Sequence, residues 1–330
     1  MASNKNLNRA KKNKDDEFYT LYSTIEKEIP YYEDQFRGKT VYCNCDDPHW
    51  SNFFRYFIYN FNRLGLRRLI CSCFAGKAIY GVQRDLFNEE KIISTPGVAW
   101  CADIHTAVDA ELPEDKELLD VEKLVTLPGN SLTRLRTGDF RSEECVALLR
   151  QSDIVCTNPP FSLARDFIDL LVREGKEYLF LSHLTLSVGR CMINQLKAGI
   201  ARLGATSYIK NGGGKIKFYH GHELDPFSNV VWFTSLKPAV KIPTTKVTRR
   251  YKDGIYPVYD NFDAIDVDRI KEIPMDYSGI MFVPITFLQF QFDIQFRILG
   301  SSMFPKDFRI KRAFTINGTQ PFKRIIIQRK

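Results

Sequence analysis

Short apolar runs alternate with longer amphipathic stretches along most of this 330-residue chain, and the two periodicities read as strands followed by helices. Thr40-Val41-Tyr42-Cys43-Asn44-Cys45 is strand-like and runs into Asp46-Asp47-Pro48; beyond it Phe53, Phe54, Phe57, Ile58 and Phe61 recur at helical spacing. Arg68 to Phe74 is a second apolar run. Trp100 to Ile104 is a third, inside an elaborated, Pro-punctuated insertion over 75–130. A helix is predicted over Ser142–Gln151, a buried strand over Ile154–Cys156, and a helix over Leu163–Glu174, where Phe167, Leu170, Leu171 and Glu174 share a face. Glu177–Ser182 is the next strand, Met192–Leu203 a helix, and Ala205–Ile209 and Val230–Thr234 the closing strands. Ahead of all these, Leu21, Ile25 and Ile29 mark an amphipathic helix stopped by Pro30. Such alternation predicts an α/β fold with a sheet of the nucleotide-binding kind. From Lys237 to Gly254 the chain is Pro-, Lys- and Arg-bearing and reads as a linker. Met281–Leu288, Phe296–Gly300 and the alternating basic and apolar Phe322–Lys330 then predict a small strand-rich region.

The stretch Asp153-Ile154-Val155-Cys156-Thr157-Asn158-Pro159-Pro160-Phe161-Ser162 organises the rest. A buried strand stops at Asn-Pro-Pro, because proline fixes φ, supplies no N–H and pushes the preceding residue out of helical space. Asn158 and Phe161 are thereby held on a stiff turn at the carboxyl end of a strand, where open α/β sheets bind ligands. The residue types suit methylation of an exocyclic amine. The Asn158 side-chain oxygen and the Pro159 carbonyl can accept the two N–H hydrogens and leave the nitrogen lone pair aimed at a methyl donor. Phe161 can stack on the base, which must first be flipped out of a duplex. A plain strand-to-helix turn is the rival reading.

Composition narrows the field. Hydrophobic residues make up 44% and aromatics 13%, enough for a sizeable core. The absence of a membrane-length apolar run or a leader predicts a cytoplasmic protein with no membrane partner, in which the eight cysteines are free thiols. A net charge of +8 favours a polyanionic partner, and its distribution sharpens that expectation. Residues 1–14 carry Lys5, Arg9, Lys11, Lys12 and Lys14 with no acid, so residues 1–16 read as a basic flexible arm. The segment between Glu177 and Glu223 is also free of acids but holds six Lys or Arg residues, whereas Glu111 to Glu122 is acidic. Lys210-Asn211-Gly212-Gly213-Gly214-Lys215-Ile216-Lys217-Phe218 is either a contact for phosphates or the flipped base, or a flexible hairpin tip. Cys43-x-Cys45 and Cys71-x-Cys73 suggest a four-thiolate zinc site, but they lie within apolar strands rather than on turns, so no metal is expected. Asp153 with Glu174-x-Lys176 has a superficial nuclease-like look, but Glu174 and Lys176 instead close a helix before the next strand. Gly138-Asp139-Phe140 precedes a helix, which Asp139 can cap.

Asn158-Pro159-Pro160-Phe161 is similar to the catalytic tetrapeptide of S-adenosylmethionine-dependent amino-methyltransferases. With Asp16-Glu17-Phe18-Tyr19-Thr20, Val41 to Pro48 followed by Ser51-Asn52-Phe53-Phe54, Val283 to Leu288 and the Arg-Ile-Ile-Ile tail, the chain resembles the EcoRI-type adenine-specific DNA methyltransferases over most of its length. The resemblance implies a Rossmann-like class I methyltransferase sheet over 17–236 and a DNA-recognition region over 237–330. It also implies transfer of methyl from S-adenosylmethionine to adenine N6 at a specific site in duplex DNA. Phe18, Tyr19, Thr20, Asp46, Asp47, Pro48, Asp139 and Phe140 are then expected at the cofactor, and Asn158, Pro159, Pro160 and Phe161 at the target base. A monomer is expected, with a cognate restriction endonuclease as a candidate partner in the same system. Two departures stand out. His49-Trp50-Ser51-Asn52 replaces the usual Gly-x-Gly after Asp-Pro, and no acid for the ribose closes Arg68–Phe74. The alternatives are methylation of RNA or of a protein glutamine, and a non-enzymatic DNA-binding protein on a decayed methyltransferase fold.

Overall fold

The apolar runs become strands buried on both faces, as parallel strands covered by helices are. In the computed structural model β1 (Thr40–Cys43), β2 (Arg68–Ser72) and β5 (Ile154–Thr157) are almost wholly buried. The structure describes residues 19–75, 79–84, 90–95, 97–107, 120–209, 216–220, 223–227, 229–242, 244–292 and 295–330. These separate into two units. The first holds the described residues up to Ser182 with 216–220, 223–227 and 236–239; the second holds 183–209, 229–235 and the described residues from 240 onward.

In the first unit β3 (Trp100–Ile104), β4 (Ser131–Arg134) and β6 (Glu177–His183) join them in the order β6-β5-β1-β2-β3-β4. The β6-β5-β1-β2 run is parallel, in register at Val41↔Ile154, Cys43↔Cys71 and Cys156↔Leu179. β3 and β4 add on antiparallel, so the insertion extends the sheet edge. Between the strands run α1 (Asn52–Tyr59), α2 (Glu143–Gln151) and α3 (Ala164–Arg173). Ser51 caps α1 by accepting from the Phe53 and Phe54 N–H groups, and Ser142 caps α2 through Cys145 N–H. The helical spacing seen in the sequence becomes a buried face in α3, where Phe167, Ile168, Leu170 and Leu171 are covered. Each such side chain contributes about 1.5–3 kcal/mol by leaving water. The helix predicted from Leu21 runs over Tyr22–Glu28 and continues as a 3-10 helix over Ile29–Gln35. Pro30 does not stop the chain turning, because in the first turn its missing N–H has no partner to lose.

The second unit departs more from expectation. The helix predicted over Met192–Leu203 is α4 (Arg190–Lys197), ended by Gly199 at φ +70°. β7 (Arg202–Leu203) then pairs antiparallel with β8 (Val230–Thr234). Ala205–Ile209, expected as a strand, is a short helix. Residues 202–203 already occupy the place beside β8, and Gly204 N–H donates to Trp232 O at 2.9 Å, so the chain turns away there. A four-stranded sheet follows: β9 (Ala264–Asp266), β10 (Ile280–Pro284), β11 (Phe296–Ser301) and β12 (Arg324–Arg329), in the order β9-β10-β12-β11. The tail forms the strand predicted for it. β12 is a central strand, and Arg324, Ile325, Ile326 and Ile327 are all buried. Arg324 is accommodated by Asp266, whose oxygens accept from Nε at 3.1 Å and Nη2 at 2.9 Å, and Tyr259 donates to the same carboxylate at 2.8 Å. No helix among the described residues is long and apolar enough to cross a membrane.

Asp266→Ala leaves the buried Arg324 guanidinium without its main partner, an expected loss of about 3–5 kcal/mol in urea unfolding at unchanged slope. A loss below about 1 kcal/mol would put the pair on the scale of surface bridges instead.

Candidate active site

β1 has β2 on one side and β5 on the other, so the strand order reverses between β1 and β5. The carboxyl ends of strands at such a reversal leave a crevice. Here β1 opens into the turn Asn44 to Ser51, and β5 into Asn158-Pro159-Pro160. A cavity of about 160 Å³ lies at this place. Thr20, Asn44, Cys45, Asp46, Asp47, Ser51, Asn52 and Phe53 line one part of it, Cys73, Phe74 and Gly138 to Arg141 another, and Asn158, Pro160 and Leu163 the last.

The β1 turn is tied down by its own carboxylates. Asp46 accepts from Ser51 Oγ at 2.6 Å and from Thr157 Oγ1 at 2.5 Å. Burial pushes its carboxyl up to about 6, although the two hydroxyls partly oppose that shift. The Asp47 carboxylate accepts from His49 N–H at 2.8 Å and lies 2.9 Å from His49 Nδ1. That hydrogen bond to Asp47 raises the imidazole above its ordinary value, partly offset by burial. Trp50 and Ser51 donate their N–H groups to Asp47 O.

Across the cavity, Gly138 stands at φ +65°, and a Cβ there would lie 1.8 Å from Cys73 O. No other residue fits that approach. Glu144, at the start of α2, holds this turn by accepting from the N–H groups of Arg136, Thr137 and Gly138 at 2.9–3.0 Å. Desolvation works against its charge, but these donors prevail and hold the carboxyl down at about 2. Asp139 does not cap α2; Ser142 does, and Asp139 instead pairs with Arg141 at 2.7–3.0 Å. The Arg141 guanidinium keeps the Asp139 carboxyl below its usual range. Phe140 is buried, with its ring edge-on to Phe167 at 5.4 Å.

On the β5 side the Pro160 carbonyl accepts from Leu163 N–H at 3.0 Å and starts the 3-10 turn Phe161–Leu163 that leads into α3. Asn158 is half-buried and Pro159 buried.

Of the residues expected at the site, Thr20, Asp46, Asp47, Asp139, Phe140, Asn158 and Pro160 share the cavity wall. Pro48, Pro159 and Phe161 adjoin it in sequence without lining it. Tyr19 pairs through its backbone with Tyr219, and Phe18 lies outside the described residues. The basic arm and the glycine run 212–214 lie outside them too. Asn44, Ser51 and Gly138 fall inside motifs read from the sequence without being given a role there, while Arg141, which lines the cavity, and Glu144, which holds its turn, fall in none. Among the described residues no cluster of three or more His, Cys, Asp or Glu side chains is placed to hold a metal ion. The buried Cys43 and Cys71 face each other across the β1–β2 register, and burial pushes both thiols well above their ordinary range.

Residues 6–330 match the family model described as adenine-specific methyltransferase EcoRI. The chain is 36% identical to the Type II methyltransferase M.EcoRI of Escherichia coli, over 100% of this chain and 98% of that one. It is 32% identical to M.MgeORF184P of Mycoplasma genitalium, over 98% of both, and 36% identical to M.MpnI of Mycoplasma pneumoniae, over 86% of this chain and 81% of the relative. No solved structure matches. A family model that spans nearly every residue, with two relatives aligned end to end, makes this chain a member of the EcoRI adenine-specific methyltransferase family.

Proposed function

We propose that this protein is a site-specific DNA methyltransferase that transfers a methyl group from S-adenosylmethionine to N6 of an adenine flipped out of duplex DNA. The observation that carries the reading is one shared cavity wall. Asn158 and Pro160 of the catalytic turn meet Thr20, Asn44, Asp139 and Phe140 at the reversal point of a parallel sheet.

The residues fit the cofactor. Thr20 Oγ1 and Asn44 Nδ2 are buried, belong to cavity-lining residues and have no hydrogen-bond partner among the described residues. Buried polar groups in that state are reserved for something else. A hydroxyl and an amide donor suit the charged amino-acid end of S-adenosylmethionine, the Asp139 carboxylate supplies acceptors for the adenine amine, and Phe140 offers an apolar wall. When bound, the cofactor supplies a sulfonium methyl group. The Asn158 side-chain oxygen and the Pro159 carbonyl accept the two N–H groups of the target amine, which takes its lone pair out of conjugation with the ring. Phe161 stacks on the flipped base. Neither acceptor ionises, so the contribution is orientation and fixed dipoles. DNA recognition falls to residues 237–330, methyl transfer to 17–236 and non-specific attraction to the arm over 1–16. The protein works as a monomer and pairs with a cognate restriction endonuclease where its system contains one.

Incubation with tritium-labelled S-adenosylmethionine and separate pools of duplex DNA, structured RNA and protein decides the substrate. Label in N6-methyldeoxyadenosine is expected, and label confined to RNA or protein overturns the DNA assignment. No label, with cofactor binding absent as well, would make this a binding protein on an enzyme's fold. Asn158→Ala is expected to slow transfer by at least about 10²-fold while DNA binding persists, and activity within a few-fold of wild type would unseat Asn158. Asn44→Leu is expected to weaken cofactor binding in calorimetry by roughly one hydrogen bond, about 0.5–1.5 kcal/mol; unchanged affinity would remove it from the site. Deleting residues 1–14 is expected to flatten the plot of log affinity for DNA against log salt by about 0.9 for each phosphate that the arm neutralises. An unchanged slope would leave the arm no role in binding.

A further inference from the structure

Asp46 sits among the cofactor-side residues, but its carboxylate is already engaged. One oxygen takes the Ser51 hydroxyl, the other the Thr157 hydroxyl, and the residue is 8% exposed. Thr157 immediately precedes Asn158. The backbone register between β1 and β5 runs through Val41↔Ile154 and Tyr42↔Val155, and past that point the Asp46–Thr157 bond continues the link at side-chain level. At its other end Asp46 is anchored to β2, donating its N–H to Ser72 O at 3.0 Å and accepting the Cys71 thiol at 3.1 Å through its backbone carbonyl. Ser51 meanwhile caps α1. One buried carboxylate thus joins the end of β1, the head of α1 and the end of β5.

We propose that Asp46 is a positioning residue for methyl transfer, clasping Thr157 so that Asn158 is held in fixed register with the cofactor turn, rather than a ligand of the cofactor. This rests on the methyltransferase reading and adds the device that sets the distance between its two halves. The clasp is also sensitive to acid. The carboxylate accepts two hydroxyls when ionised, but protonation converts one oxygen into a donor, and one hydroxyl must turn or let go. Burial brings that change to about pH 6. The groups around it are Asp47, which raises it further, and the thiols of Cys43, Cys71 and Cys156, which burial keeps protonated. His49, one step away on Asp47, is the other group titrating nearby.

The test is single-turnover methyl transfer at saturating S-adenosylmethionine and DNA, alongside calorimetry of cofactor binding, on the full chain. Asp46→Asn and Thr157→Val are each expected to slow transfer on the order of 10²-fold, the scale of a misplacement of about 1 Å. Cofactor affinity is expected to move by less than about tenfold. Thr157→Ser, which keeps the hydroxyl, is expected to restore the rate, and the double variant to be no slower than the worse single one. The wild-type rate should fall as pH drops through about 6. Asp46→Asn should lack that limb and keep any that belongs to His49. The proposal is overturned if Asp46→Asn loosens the cofactor in proportion to its loss of activity while the saturated rate stays normal, or if the two rate losses multiply. Should Asp46→Asn fail to fold, the Thr157→Val and Thr157→Ser pair decides alone. An inactive Asn158→Ala beside near-normal Asp46→Asn and Thr157→Val would sink the clasp and leave the enzyme reading standing. An active Asn158→Ala would sink that reading itself.

Discussion

The site depends on the parallel pairing of β1 with β5. These strands are far apart in the chain, and hydrogen bonding at Val41↔Ile154 and Tyr42↔Val155 brings their carboxyl ends side by side. Only then do the turn after Cys43 and the turn after Thr157 become two walls of one cavity. The pairing is costly to reach, because a long loop must close before the ladder rewards it. What holds it is burial: every residue of β1 and β5 is covered, and nearby the Phe167 ring meets those of Phe140 and Phe180 edge to face at 5.4 Å. A change that loosens the packing at Phe167 or Phe180 would therefore act on the site through Phe140 without itself lining the cavity.

The Asn158-Pro159-Pro160 turn was legible in the sequence because its signal is local. Two prolines after an apolar run dictate where the strand ends, whatever the rest of the chain does. The α1 and α3 faces were legible for the same reason, since a helical apolar stripe already names the side to be buried. Ala205–Ile209 failed because Thr206 and Ile209 are as acceptable in a strand as in a helical turn, and the choice was made elsewhere, by Arg202–Leu203 taking the place beside β8. The tail is the strand that its pattern predicts, and what the pattern leaves open is its depth: Asp266, 58 residues earlier, neutralises Arg324 and lets β12 lie inside its sheet. Long-range electrostatics can rewrite a pattern that short-range hydropathy sets.

The residues missed at the site share that character. Asn44 is a small polar residue within an apolar run, and nothing near it in the sequence says its amide lacks a partner. Glu144 reads as an ordinary acid in the first turn of a helix, favourable there through the helix dipole alone. Its second task, gathering three N–H groups of the 136–138 turn, appears only when β4 delivers that turn to the head of α2.

The missing Gly-x-Gly has a physical resolution in these neighbours. Glycine at such a turn lets the backbone come close and frees N–H groups for a ligand. Here the turn after β1 takes another route. The Asp47 carboxylate and carbonyl accept the N–H groups of His49, Trp50 and Ser51, and the Ser51 hydroxyl, which glycine could not supply, satisfies the first donors of α1. Across the cavity Gly138 answers a separate demand, since its backbone packs against Cys73 O too tightly for any Cβ. Glycine at Ser51 would remove the hydroxyl that caps α1 and reaches Asp46, whereas glycine at His49 would keep the N–H bond to Asp47 and lose only the imidazole contact.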